Sequence, residues 1–226
     1  MKKEVIVISL GGSIIIPNKI NYKSLKQFKK IILKNSKKFK FIIVCGGGSL
    51  ARNYISALEQ EKLNEKLQSF AGIAATRTNA RFMSYFFNQD QGNIPHTINK
   101  LKKRNSDIVF CGALEYHPNE TSDSTAAKIA KEFKSIFINL TNISGLYTDN
   151  PLTNKKAKFI PQISWKEFHK IANKQKFKPG QHFVLDQKAS KIILQNKIKT
   201  YILGNNFNQL DNLLNNKKFK GTKIEN

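Results

Sequence analysis

Short apolar runs alternate along this chain with longer stretches in which apolar residues return every third or fourth position. Val5-Ile6-Val7-Ile8, Phe41-Ile42-Ile43-Val44 and Ile108-Val109-Phe110 are rich in β-branched and aromatic residues and predict buried strands. Between the first two, Leu25, Phe28, Ile32 and Leu33 share one side of a helical wheel, with lysines opposite. The pattern predicts strand 4–10, helix 22–37, strand 39–45, helix 49–60 and a second helical stretch over 62–89. After a loop with Gly92 and Pro95 come strand 107–111, helix 122–133 and strand 135–140. The polar segment 142–161 holds Pro151 and Pro161 and reads as a long loop with room for a hairpin. Helix 164–175, helix 187–195, strand 198–203, helix 207–215 and a short strand near 220–224 complete the order. Strands that are apolar on both faces and separated by helices call for a parallel sheet covered on either side. The expected fold is therefore α/β, a three-layer sandwich with a mostly parallel central sheet. No repeat or low-complexity linker divides the 226 residues, so one unit, 1–226, is expected.

Two of the predicted strands run straight into glycines and then a helix. The first ends in Ser9-Leu10-Gly11-Gly12-Ser13 and the second in Gly46-Gly47-Gly48-Ser49. Glycine lets the backbone turn tightly and approach a ligand without a Cβ in the way. The N–H groups of the turn and the positive end of the next helix then make an anion site. Two such loops in the first fifty residues suit a molecule that holds two phosphate groups. Arg52, four residues after Gly48, projects from the first helical turn, where a guanidinium can clamp a phosphate in two-pronged fashion. A Walker-type loop is absent. Gly46 to Ala51 fits the loose dinucleotide pattern G-x-G-x-x-G/A, but Glu65, the acid at the right distance, lies in a helical stretch with no strand before it.

Composition changes this picture little. The formal charge of +24 reflects 39 Lys and Arg against 15 acidic residues, while the charged fraction of 24% is ordinary. Lysine is spread along the chain beside abundant Asn, Ile and Phe, which reads as a compositional bias. Lys23, Lys26, Lys30, Lys34 and Lys37 read as the solvated face of their helix. Such a surface attracts polyphosphates and gives nonspecific nucleic-acid affinity at low salt. Cys45 and Cys111 lack the spacing of a zinc site and read as reduced buried thiols in a cytoplasmic protein. No apolar run approaches a membrane span, and Glu4 interrupts the faint signal-peptide look of the N-terminus.

Read in order, a set of segments resembles the amino acid kinase superfamily, and within it the archaeal-type uridylate kinases. They are Leu10-Gly11-Gly12-Ser13, Gly46 to Ile55, Gly72 to Ala80, Thr121 to Ala127, Thr141 to Thr148, Asp186 to Ile198 and Gly221-Thr222-Lys223-Ile224. The resemblance implies ATP-dependent phosphorylation of UMP to UDP in pyrimidine nucleotide synthesis, with Mg²⁺ bridging the phosphates and no metal held by the protein alone. It implies a homo-oligomer, commonly a hexamer, with an acceptor-binding part over about 1–135 and an ATP-binding part over about 136–226. By the same resemblance, Ser9, Leu10, Gly11, Gly12, Ser13, Gly48 and Arg52 face ATP, with Thr141, Tyr147 and Asn150 at adenine and ribose. Gly47, Ser69 and the run Tyr116, His117, Pro118, Asn119, Glu120, Thr121, Ser122 face UMP. Asp123 stands near the transferred phosphoryl, and Lys191 where related kinases keep a neutralising lysine.

The chain departs from the family pattern at several of these positions. Ser9 replaces a lysine that many members carry, although the archaeal uridylate kinases also lack it. Ser69 stands where an acidic residue holds the UMP ribose, a change on the order of 1.5–3 kcal/mol in a charge-assisted hydrogen bond. Ser144 and Asn150 replace acidic residues, and segment 112–120 is about two residues longer than the usual acceptor loop. The alternatives are a sister kinase with another small phosphate or carbamate acceptor, and a degenerate nucleotide-binding subunit without turnover.

Overall fold

The computed structural model describes residues 3–90, 92–118, 120–174 and 185–226. The first apolar run forms β1 (Glu4–Leu10), followed by a single turn, α1 (Gly12–Ile15), and α2 (Tyr22–Asn35). Next come β2 (Phe39–Cys45), α3 (Gly48–Gln60), α4 (Glu65–Phe86), the short α5 (Ile98–Lys102) and β3 (Ile108–Cys111). After α6 (Ser122–Phe133) and β4 (Ile136–Leu140), the 142–161 segment does hold a hairpin, β5 (Leu146–Tyr147) with β6 (Phe159–Ile160). The chain then runs through β7 (Gln162–Ile163), α7 (Trp165–Ala172), α8 (Gln187–Asn196), β8 (Thr200–Leu203), α9 (Asn208–Leu214) and β9 (Thr222–Ile224).

Seven strands form the central sheet in the order β3-β2-β1-β4-β8-β9-β7. The first five are mutually parallel, and β9 runs antiparallel to β8. Chain direction across the sheet reverses after β3. With right-handed crossovers this places α2, α3 and α4 on one face and α6, α7 and α8 on the other. The contacts agree, since α3 packs on α4 and α8 on both α6 and α7. Burial of Val7, Ile8, Phe41, Ile43, Phe110 and Phe137 makes the sheet the common core of both helical layers.

Where the prediction and the structure differ, local chemistry gives the reason. The stretch over 62–89 starts only at Glu65, because Lys62 adopts a left-handed conformation and the Asn64 side chain caps Leu67 N–H at 3.1 Å. Lys134 and Lys197 end α6 and α8 in the same left-handed geometry, which usually favours glycine. The single-turn α1, the five-residue α5 and the two-residue edge strand β7 carry too little periodicity to be read from sequence. The helix expected over 164–175 ends at Ala172 with Asn173 as its C-cap, and residue 175 lies outside the described residues.

Candidate active site

The register of the parallel strands builds the site. Leu10 pairs with Cys45 on one side and Leu140 on the other, so β1, β2 and β4 end side by side. Both glycine loops and Thr141 therefore emerge at one edge, where open α/β sheets bind ligands. The loops touch through their backbones. A Cβ on Gly12 would lie 2.0 Å from Gly48 N, and Gly48 has φ +62 with its Cβ position 2.5 Å from Gly12 O. Only glycine permits that approach and that dihedral. Ser49 N–H donates to Ile16 O at 2.9 Å, and Asn79 of α4 donates to Gly46 O and Gly47 O at 2.7 and 3.0 Å.

Above the loops lies a cleft of about 520 Å³. Gly11, Gly12, Ser13, Gly47, Gly48 and Arg52 form its floor. On the β3 side stand Ser69, Tyr116, His117 and Glu120, and on the β4 side Thr141 and Asn150. Thr121, Ser122 and Asp123, at the start of α6, also line it. The structure thus brings together most residues singled out in the sequence. Arg52 donates to Pro17 O at 2.7 Å and lines the cleft. α4 fixes the long loop after β3: Thr76 Oγ1 accepts from Ala113 N–H at 2.9 Å, and Arg77 donates to Ala113 O and Leu114 O.

Six expected residues sit elsewhere or are not described. Ser9 and Leu10 are buried beneath the floor, so their side chains do not line the cleft. Tyr147 packs edge-on against Phe159, with ring centroids 5.4 Å apart, and Pro118 is exposed outside the wall. Asn119 lies outside the described residues. Lys191 is exposed on α8 near His169, whose pKa burial and that lysine lower, and it does not line the cleft. Only the first turn of α8 approaches the site, and Lys188 on that turn lies 3.6 Å from Glu120, which Lys128 also pairs at 2.6 Å.

Under the floor is a polar network that the sequence only partly disclosed. Ser9 Oγ donates to Asp123 Oδ1 at 2.6 Å, and Asn139 Nδ2 to the same oxygen at 3.0 Å. Burial pushes the Asp123 carboxyl up to about 7; the Ser9 hydrogen bond opposes this, and the neighbouring Asp186 adds to it. Asp186 lines the cleft and joins two helix starts. It caps α8 through Ala189 N–H at 2.7 Å and accepts from Thr121 Oγ1 and Ser124 Oγ, each at 2.5 Å. The signals for it in the sequence were its place before a predicted helix, as an N-cap aspartate, and at the start of the segment Asp186 to Ile198. The buried Oδ1 of Asn139 has no hydrogen-bond partner, and Asn139 is among the residues beside the same cleft. Among the described residues, no group of three or more His, Cys, Asp or Glu could hold a metal ion.

Comparison with known proteins gives the cleft its context. Residues 4–204 match the sequence profile described as the amino acid kinase family. The uridylate kinase of Thermoplasma volcanium is 33% identical over 224 residues, covering 98% of both chains. That of Pyrococcus abyssi is 32% identical over 209 residues, covering 88% of this chain and 89% of that protein. Among solved structures, uridylate kinase from Archaeoglobus fulgidus superimposes with a TM-score of 0.82 at 30% identity, covering 97% of this chain and 99% of that one.

Proposed function

The chain belongs to the amino acid kinase family, and we propose that it works as a uridylate kinase, transferring the terminal phosphoryl of ATP to UMP to give UDP and ADP. The observation that carries this reading is the backbone contact of Gly12 with Gly48 on the floor of the cleft. It puts two phosphate-binding turns within reach of one transferred group. A phosphate oxygen of UMP forms the new bond to phosphorus as the bond to ADP breaks. Little covalent work falls to side chains, so positioning and electrostatic stabilisation dominate. ATP lies toward Thr141 and Asn150, and UMP toward Ser69, Tyr116, His117 and Glu120. Arg52 and the N–H groups of both loops hold phosphate oxygens, and Asp123 fixes Ser9 and Asn139 below them.

Mg²⁺ would enter with ATP. The donors here fit a hard cation that keeps much of its water: the Asp123 carboxylate and the unpartnered Asn139 Oδ1 are oxygens, too few to bind it alone. When bound, it neutralises charge on the phosphates. Tyr54, Leu63, Leu67 and Phe70 stand exposed along the α3–α4 pair, which supports assembly as a homo-oligomer, by resemblance a hexamer. The proposed setting is cytoplasmic pyrimidine nucleotide synthesis. Equimolar appearance of UDP and ADP from UMP and ATP tests the assignment.

A further inference from the structure

Positive charge is not spread evenly over this surface. Between Glu4 and Glu59 the sequence holds no acidic residue, yet it carries nine lysines and Arg52. Most of those lysines belong to or flank α2. Lys23, Lys26, Lys30, Lys34 and Lys37 are all exposed. At 100° per residue the four on α2 fall within about 80° of arc, each one 4.5–6 Å of helix rise from the next, and Lys37 follows just past the helix end. The opposite side of α2 is spent on the core, with Leu25, Phe28 and Ile32 fully buried.

The fold extends this stripe. α9 packs against α2, and the segment after it brings exposed Lys217, Lys218 and Lys220 alongside. Asn215 bridges the two, accepting from Lys38 Nζ at 2.9 Å and donating to Asn35 Oδ1 at 3.1 Å. The only carboxylate on α2 or α9 is Asp211, which already pairs with Lys34 at 2.7 Å. Hydrogen bonds from Lys34 and Asn35, with Lys217 nearby, hold its pKa below the usual range. Lysines at this density repel one another and lower the stability of the bare protein, a cost that a polyanion bound along them would relieve. None of these residues lines the cleft.

We infer that the α2–α9 face is a docking surface for the phosphodiester backbone of a nucleic acid, read without regard to sequence. Elongated spacing fits a strand of phosphates better than one nucleotide. A lipid surface is the poorer match, because an interfacial helix must offer its apolar side to the membrane and α2 has buried its own. Exposed Tyr22 at the start of the stripe gives a single strand a ring on which to stack.

The test is fluorescence anisotropy with labelled RNA and DNA single strands about 20 nucleotides long, over a range of salt. The quadruple variant K23E/K26E/K30E/K37E should bind at least about tenfold more weakly, with a log–log salt slope shallower by about 3. K131E/K134E/K166E/K170E, on the opposite helical layer, removes the same charge and should bind much as wild type. Equal loss in both variants would assign the affinity to net charge and overturn the proposal, as would no loss in either. Binding to phosphatidylserine vesicles that needs the α2 lysines, with no such dependence for nucleic acid, would overturn it in favour of a membrane. Circular dichroism checks folding, and if the Glu set does not fold, the Gln set at the same four positions carries the test.

Discussion

Asp123 shows how one buried carboxyl ties chemistry to stability. Because burial holds its pKa up to about 7, the folded protein keeps more protons than the unfolded chain between about pH 4 and 7. Its contribution to stability is therefore complete below that window and lost as pH rises through 7. Asp123→Asn should raise the unfolding free energy at pH 8 by a few kcal/mol, flatten its dependence between pH 4 and 7, and lower kcat. Denaturant titrations at several pH values, beside steady-state kinetics, check both halves; a pH dependence unchanged by the substitution would remove Asp123 as its source. The two lysines of α8 make a second residue-scale test. Lys188 reaches Glu120 on the cleft wall whereas Lys191 is exposed beside His169. Lys188→Ala should raise the UMP KM several-fold, and Lys191→Ala should change kcat by less than about twofold. A loss of kcat on the order of 10²-fold, about 2.7 kcal/mol, in Lys191→Ala alone would return the neutralising role to Lys191. Motif position says which turn a residue occupies but not which way that turn faces.

At the scale of elements, periodicity gave the strands and long helices to within a few residues. Ile6 to Leu10, interrupted only by Ser9, and Phe41 to Cys45 are apolar runs, buried on both sides in the structure. What it could not give was how helix starts are tied together. Asp186 stands 62 residues from Ser124, and no local pattern reports that one carboxylate serves the N-termini of both α6 and α8. Asp186→Asn replaces one of two carboxylate oxygens, each of which accepts from one hydroxyl and one backbone N–H, with an amide donor that faces either Ser124 N–H or Ala189 N–H. It should cost on the order of 3 kcal/mol in chemical denaturation. It should also shift the Asp123-dependent stability change to lower pH, since a negative neighbour that raises the Asp123 pKa is gone. A variant as stable as wild type would show that the two helix starts are held by other contacts.

For the whole molecule, the α/β class and the parallel core were legible because only sheets covered on both faces need strands apolar throughout. The antiparallel placement of β9 and the edge strand β7 were not, since strand order depends on crossovers rather than on composition. Register then does what no motif states: it sets the ends of β1, β2 and β4 level, so two glycine loops become the floor of one cleft. The central claim is that this cleft transfers a phosphoryl group between two nucleotides. Its most direct measurement supplies the purified protein with γ-labelled ATP, Mg²⁺ and, in separate reactions, UMP, CMP, AMP, dTMP, isopentenyl phosphate and carbamate. Label should pass to UMP as UDP, faster than to any other acceptor. Folded protein that leaves UMP unlabelled, or labels another acceptor in preference, contradicts the account.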